Sequence, residues 1–123
     1  MSKILIINDT PIVNKVLKRS IESGDGISVD TVETGNEGID AVKNGAYDLI
    51  LLDFKLPDVN GDVVCKSIKE DEKTNSIPVY FISSMEKGKM DEVIQETNAQ
   101  GYLDITMDSD ALVEQIIALV GNT

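Results

Sequence analysis

Several residue types that often carry a fold are scarce in this chain. It has no tryptophan, and aromatic residues make up only 4% of it, although 41% of its residues are hydrophobic. That hydrophobic fraction excludes a disordered chain, so the core has to be built from isoleucine, leucine and valine. A length of 123 residues fits a single domain, and we expect residues 1–123 to form it.

Cysteine is equally scarce, because Cys65 is the only one. An internal disulfide is therefore excluded, and a reducing compartment is expected. Cys65 lies in an apolar helical pattern, which favours a small core residue over a redox role. No apolar run approaches the roughly 20 residues of a membrane span, and no signal peptide precedes the first apolar run. We therefore expect a cytoplasmic protein that does not bind membranes.

Positive charge is the third scarcity. The chain has 11 lysine and arginine residues against 22 aspartate and glutamate residues, for a formal charge of -11. Nucleic acids and anionic membranes are bound through clustered lysine and arginine, so direct binding of either is not expected. The acidity fits a basic protein partner or a divalent cation, or it serves solubility alone.

What the chain does have is a regular alternation of five short apolar runs with five helical patterns. The runs at residues 4–7 and 49–52 are continuously apolar, which is typical of strands buried on both faces. A half-covered strand is predicted at residues 27–32, a further apolar strand at 79–82, and a weak, short one at 102–103. This alternation predicts an α/β fold with a parallel sheet between two layers of helices. We predict a three-layer α/β/α sandwich of the flavodoxin-like (βα)5 type, with strand order 2-1-3-4-5.

The helix starts carry expectations of their own. A side-chain cap is expected just ahead of Pro11, which suits a first helical turn, and Asp108 with Ser109 is expected to cap the last helix. Asp58 and Asp62 are assigned to turn and helix-start chemistry. The apolar residues whose spacing predicts the first helix are Ile12, Val13, Val16, Leu17 and Ile21.

Polar side chains follow three of the predicted strands. Asp9 follows the first, Asp53 the third and Ser83 the fourth. Sites in doubly wound sheets form at the carboxyl ends of strands, and the first and third strands are neighbours, so these residues are expected to share one cleft. Two nearby carboxylates repel each other unless a cation lies between them, and their oxygens suit Mg²⁺.

A carboxylate in such a cleft has a definite chemistry. Asp53 could attack a phosphoryl group and form an aspartyl phosphate, while Mg²⁺ neutralises the charge that develops on the phosphoryl oxygens. The hydroxyl of Ser83 could donate a hydrogen bond to the product.

Four segments, taken in order, carry a resemblance to a known family. They are KILIIND at residues 3–9, LLDFKLPDVNG at 51–61, IPVYFISS at 77–84 and AQGYL at 99–103. The second is the specific one, with Asp53, Pro57 and Gly61 at the family's spacing. Together they span essentially the whole chain, which resembles the receiver domain of two-component response regulators.

The resemblance implies a role for each cleft residue. Asp53 would be the phosphoacceptor and would bind Mg²⁺ together with Asp9 and the backbone carbonyl of Lys55. Asn8 would act on the metal through a water molecule.

A second pair of residues would transmit the signal. Ser83 would be the switch hydroxyl that moves toward the phosphoryl group, and Tyr102 the aromatic that then turns inward. The fourth helix, fifth strand and fifth helix would form the output surface for a downstream protein or output domain.

The resemblance also implies the donor and the kind of activity. The phosphoryl group would come from a histidine kinase or phosphotransfer protein, and because the chain contains no histidine, the donor histidine lies on another chain. A small phosphodonor is the alternative. The domain would not be a turnover enzyme, although some self-catalysed dephosphorylation is expected.

Two positions depart from the family pattern. Asn8 replaces the first acid of a pair, and Ile105, followed by Thr106, replaces a lysine that is usually followed by proline. These losses are opposite in sign, so we expect Mg²⁺ binding to weaken but survive, and the lost contact to the phosphoryl group to cost about 1.5–3 kcal/mol. The side chain of Lys55 either substitutes for the missing lysine or points to solvent.

These departures leave a second function open, namely a pseudo-receiver that binds proteins without being phosphorylated. Simpler roles also remain open for single residues: Asp9 as a helix cap, Asp53 as a solvated strand end, Ser83 as a partner of a loop amide, and Tyr102 as packing. Two enzyme classes are disfavoured. The first loop is not a phosphate cradle for FMN, and Lys55 stands where dehalogenase-type phosphatases need a second acid.

Overall fold

The computed structural model describes residues 2–24, 26–105 and 108–121, and within them five strands alternate with five helices. The strands are β1 (Ser2–Ile7), β2 (Ile27–Val32), β3 (Leu49–Asp53), β4 (Val79–Ser83) and β5 (Gly101–Asp104). The helices are α1 (Pro11–Glu22), α2 (Gly35–Asn44), α3 (Gly61–Glu70), α4 (Lys87–Thr97) and α5 (Ser109–Gly121). The predicted alternation is therefore confirmed.

All strand pairs are parallel, and the sheet order is β2-β1-β3-β4-β5. The predicted flavodoxin-like sandwich is confirmed in both class and strand order. Ile7 of β1 lies opposite Leu52 of β3, so the residues that follow them, Asn8 and Asp53, emerge side by side at the same edge of the sheet. Asp53 in turn lies opposite Ile82, one residue before the end of β4.

Alternating side chains of the central strands fill two separate cores. Leu5 and Ile7 pack with residues of α2, α3 and α4 on one face of the sheet, and Ile4 and Ile6 pack with residues of α1 and α5 on the other. All four side chains are completely buried. This explains why β1 is continuously apolar, since a strand covered on both faces has no polar side. Cys65 is also buried in the first core, as predicted.

Helix α1 buries a different face from the one its apolar residues suggest. Leu17 and Ile21 are buried as their spacing indicates, but Ile12 is 71% exposed and Val16 is 50% exposed. The polar side chain of Asn14 is buried instead. Apolar spacing therefore predicted the helix correctly but not the whole of its inward surface.

The expected caps are only partly present. Pro11 does occupy the first turn of α1. Thr10 stands at the N-cap position of that helix, but its side chain makes no capping hydrogen bond. The predicted side-chain cap ahead of Pro11 is therefore wrong. At α5, the Asp108 carboxylate accepts a hydrogen bond from the Ala111 N–H (3.3 Å), which confirms its part of the predicted cap. The side chain of Ser109 and the whole of Thr106 lie outside the described residues.

None of the helices in the described part of the chain combines the length and the apolar character of a membrane span.

Candidate functional site

A cleft of about 360 Å³ opens at the carboxyl edge of the sheet, where β1, β3 and β4 end. Five of the residues singled out from the sequence contribute to its walls. They are Asn8, Asp53, Lys55, Ser83 and Ile105. Thr10, Val13, Phe54, Ser84 and Met85 complete the lining. The structure thus brings together side chains that are widely separated in the sequence. Asp9, which was predicted to share this cleft with Asp53 and Ser83, does not line it, and neither does Tyr102.

Asp53 lies at the end of β3 with a half-buried side chain. Burial raises the pKa of its carboxyl group, and the negative charge of Asp9 raises that pKa further. Hydrogen bonds from the backbone N–H groups of Phe54 and Lys55 act in the opposite direction and lower it. Asp9 is therefore close enough to repel Asp53, and the two amides hold the carboxylate in place.

Asn8 is fixed by a pair of hydrogen bonds that the sequence analysis did not anticipate. Its side-chain amide donates to Asn14 Oδ1 (3.1 Å), and the Asn14 amide donates back to the Asn8 carbonyl oxygen (2.7 Å). Asn8 Oδ1 takes no part in this pair of bonds, and Asn8 lines the cleft. The available signal was Asn14 itself, a polar residue within an apolar helix pattern.

The loop between β3 and α3, residues 54–60, is attached at two points. The Gly61 N–H donates to the Phe54 carbonyl oxygen (2.5 Å), and a Cβ at Gly61 would overlap the Asp53 carbonyl oxygen and come within 2.9 Å of Phe54 Cα. Only glycine therefore lets α3 start so close to Asp53. The Asp58 carboxylate forms the second attachment, accepting hydrogen bonds from the N–H groups of Gly35 and Asn36 (both 2.8 Å).

Asp58 was expected to serve a turn or a helix start. It does serve a helix start, but that of α2, which lies more than 20 residues earlier in the chain. These hydrogen bonds, that from Asn36 first, lower the pKa of the Asp58 carboxyl group. Asp62 does act locally, accepting a bond from the Val63 N–H at the start of α3 (2.9 Å).

Ser83 is almost completely buried, and its Oγ accepts a hydrogen bond from the Met85 N–H (3.0 Å). This contact corresponds to the simpler role considered for it, the partner of a loop amide. Tyr102 is half-buried and packs against the core on the α2–α3–α4 side of the sheet.

Ile105 and Lys55 line the same cleft but differ in burial. The backbone N–H of Ile105 donates to the Ser83 carbonyl oxygen (3.1 Å), and its side chain packs against the core on the α1–α5 side. Lys55 is exposed. The cleft therefore has an apolar wall where the resembled family has a lysine, and a different lysine on its rim.

The oxygen atoms in and beside the cleft suit Mg²⁺. Asp53 supplies a carboxylate and Lys55 a backbone carbonyl from the lining, together with Oδ1 of Asn8 for a bound water. The carboxylate of Asp9 lies outside the lining, but its charge acts on Asp53. Mg²⁺ usually takes only one or two carboxylates and completes its shell with water and phosphate oxygens. The described residues contain no group of three or more His, Cys, Asp or Glu side chains that could hold a metal ion. The repulsion that Asp9 exerts on Asp53 is what a bound cation would relieve.

The fold and the cleft together define a doubly wound α/β protein with a carboxylate-bearing cleft at its topological switch point. Residues 4–117 match the sequence model of the family described as the response regulator receiver domain. The chain therefore belongs to that family.

Individual relatives agree with the family match. The chain is 27% identical to the polar-differentiation response regulator DivK of Brucella ovis, covering 97% of this chain and 96% of DivK. It is 31% identical to the DNA-binding dual master transcriptional regulator RpaA of Synechocystis sp., but it spans only 51% of that protein. Among solved structures, it resembles the response regulator TrrA of Thermotoga maritima in complex with Mg²⁺-BeF, with 26% identity, a TM-score of 0.81, and coverage of 97% of this chain and 99% of TrrA.

Family membership establishes the general class of activity. Receiver domains are phosphoacceptor modules of two-component signalling, they bind Mg²⁺ in phosphorylation, they interact with phosphodonor proteins and downstream targets, and they are generally not enzymes.

Proposed function

We propose that Asp53 accepts a phosphoryl group from a histidine kinase or a phosphotransfer protein. The observation that carries this proposal is the placement of the Asp53 carboxylate at the carboxyl end of β3, where two backbone amides hold it and Asp9 repels it. Such a carboxylate is oriented for attack, and its charge is uncompensated until a cation and a phosphoryl group arrive.

The metal would be held by Asp9, Asp53 and the carbonyl oxygen of Lys55, with Asn8 Oδ1 bonded to a metal-bound water. When bound, Mg²⁺ would neutralise charge on the phosphoryl oxygens. With Asn8 in place of an acid, the affinity for Mg²⁺ would be lower than with three carboxylates, but the two remaining carboxylates are within the number that Mg²⁺ normally uses.

The phosphoryl transfer itself is a simple exchange of bonds. An oxygen of Asp53 forms a bond to phosphorus while the bond from phosphorus to the donor histidine nitrogen breaks, and the electron pair of that bond remains on the imidazole. The N–H groups of Phe54 and Lys55 keep the Asp53 carboxylate in place during the attack.

The signal would then leave through Ser83. Its hydroxyl, which accepts a bond from the Met85 N–H in this structure, would turn to donate to the phosphoryl group. Tyr102 would move toward the space that Ser83 leaves, and the surface of α4, β5 and α5 would change for a downstream protein or output domain.

The surface of α1 beside the cleft suits a protein donor. Ile12 and Val16 are exposed there, and exposed Lys15 and Arg19 flank them. Together with Lys18, this helix holds three of the 11 basic residues of a chain whose net charge is -11. We therefore propose that the donor docks on α1 with an apolar surface bordered by acidic residues.

Intact mass spectrometry tests the proposal. We expect incubation with phosphoramidate or acetyl phosphate and Mg²⁺ to add the mass of one phosphoryl group to the wild-type chain. The isosteric variant Asp53→Asn should gain nothing, whereas Asp91→Asn, a matched change at an exposed position of α4, should be phosphorylated like the wild type.

A pseudo-receiver is the second candidate, and the apolar wall formed by Ile105 favours it. The Ile105 side chain packs against the core. The cleft therefore has an apolar side chain where the family has the lysine that holds the phosphoryl group. If none of the three proteins gains mass from either phosphodonor, the proposed phosphorylation is wrong and the pseudo-receiver function takes its place.

A further inference from the structure

The loop that carries Lys55 is tied to another helix by one side chain. Asp58 lies three residues after Lys55 and accepts hydrogen bonds from the Gly35 and Asn36 N–H groups of α2. The same loop supplies the two amides that hold the Asp53 carboxylate. The start of α2 and the phosphoacceptor loop are thus joined by two hydrogen bonds of 2.8 Å each.

The start of α2 has its own cap, and Asp58 adds to it. Thr34 Oγ1 accepts a hydrogen bond from the Glu37 N–H (3.1 Å) and donates one to Glu37 Oε1 (3.0 Å). The N–H groups of Gly35 and Asn36 are left for Asp58, because the first N–H groups of a helix have no partners within the helix. The two contacts are separable, since Thr34 caps the helix locally and Asp58 joins it to the loop.

Packing around Gly35 keeps the loop close to α2. A Cβ at Gly35 would come within 2.9 Å of Val64 Cγ2 and 3.3 Å of Asp58 Oδ1, and it would overlap Val59. Between Lys55 and Asp58 lie only Leu56, which packs against the core, and Pro57, whose φ is fixed by its ring. A displacement of Asp58 is therefore passed along a short, stiff segment to Lys55.

We propose that Asp58 is a positioning residue. It fixes the position of the Lys55 carbonyl and of the loop amides relative to the Asp53 carboxylate, and so sets the affinity for Mg²⁺. This inference rests on the proposed function, because it concerns the same site. Residues that orient metal ligands from outside the coordination shell commonly change metal affinity by about 10-fold or more when they are replaced.

The test compares two variants that both weaken the start of α2. Asp58→Ala removes the tie to the loop, and Thr34→Ala removes only the local cap. We expect the dissociation constant for Mg²⁺, measured by isothermal titration calorimetry, to rise about 10-fold in Asp58→Ala and to stay within about 2-fold of wild type in Thr34→Ala. The rate of phosphorylation by phosphoramidate at limiting Mg²⁺ should fall in the first variant and be largely recovered at high Mg²⁺.

Asp58→Asn provides a second variant that keeps the shape of the side chain and one acceptor oxygen. We expect its dissociation constant for Mg²⁺ to lie between those of wild type and Asp58→Ala. Equal affinities for Mg²⁺ in the Asp58 and Thr34 variants would overturn the positioning role and leave the proposed function intact. A wild-type chain that neither binds Mg²⁺ nor becomes phosphorylated would overturn both.

Discussion

The Asp53 carboxylate lies in surroundings that favour its protonated form. Burial and the charge of Asp9 raise its pKa above the ordinary value, so the folded chain holds this proton more tightly than the unfolded chain does. The contribution of Asp53 to stability is therefore present below its unfolded pKa and is lost as the pH rises through the folded pKa.

We predict that Asp53→Asn stabilises the fold near pH 7 in the absence of Mg²⁺, because the asparagine has no charge to bury. Urea unfolding at about pH 7 and about pH 3 measures the effect, and the gain should disappear at the lower pH, where the raised pKa of Asp53 leaves its carboxyl group protonated. A variant less stable than wild type near pH 7 would contradict this account of the site.

Substitutions at Ile105 and Lys55 test directly what the loss of the family's lysine does to the phosphorylated state. We predict that Ile105→Lys increases the phosphorylated fraction at equilibrium with a small phosphodonor, by about 10-fold in the equilibrium constant if it restores a charged hydrogen bond of about 1.5 kcal/mol. Phosphate-affinity gels or intact mass would measure the fraction.

Combining Ile105→Lys with Lys55→Met shows whether Lys55 already contacts the phosphoryl group in the wild-type chain. If Lys55 already contacts the phosphoryl group, Lys55→Met lowers the phosphorylated fraction and Ile105→Lys restores it. If Lys55 points to solvent, Lys55→Met leaves the fraction unchanged, and Ile105→Lys has the same effect with or without it.

At the scale of elements, α1 combines contact with the cleft and an exposed apolar surface. We predict that Val16→Asp slows phosphorylation by a cognate donor protein at least about 10-fold, as loss of a central apolar contact in an interface does, and leaves phosphorylation by phosphoramidate unchanged. Val63→Asp, at a comparably exposed position of α3 (49% exposed, against 50% for Val16), serves as the control. Equal loss of rate with both donors would place the defect in the cleft rather than in docking.

The elements themselves were largely predictable from the sequence. The runs of β1 and β3 are continuously apolar because helices cover both faces of the sheet, and that is a local signal. Strand order then followed from general rules for doubly wound sheets. Strand order alone predicted that Asp9, Asp53 and Ser83 share a cleft. Asp53 and Ser83 do line it, whereas Asp9 lies outside the lining and acts on Asp53 only through its charge.

The features that the sequence did not predict depend on contacts between residues far apart in the chain, or on which face of a helix meets the sheet. Helical spacing does not say which of two adjoining faces meets the sheet, so exposed Val16 and buried Asn14 were not distinguished. The partners of Asp58 lie 22 and 23 residues away across a loop, and no local pattern encodes such a bond.

At the scale of the whole molecule, the net charge of -11 opposes compaction, and any salt reduces that repulsion. We predict that Mg²⁺ stabilises the fold beyond NaCl of equal ionic strength, by about 1.4 kcal/mol when its concentration is ten times the dissociation constant. Urea unfolding in the two salts measures the difference. Asp9→Asn should lose most of the extra stabilisation, whereas Glu92→Gln, an exposed change on α4, should retain it.

The single thiol of the chain gives the molecule a built-in reporter. Cys65 is fully buried between α3 and α4, where its Sγ lies 3.6 Å from the Thr97 carbonyl oxygen, and burial raises its pKa. A thiol reagent can therefore modify the chain only when those two helices separate. The labelling rate, followed with and without a phosphodonor, would time the opening of this side of the domain without any engineered probe.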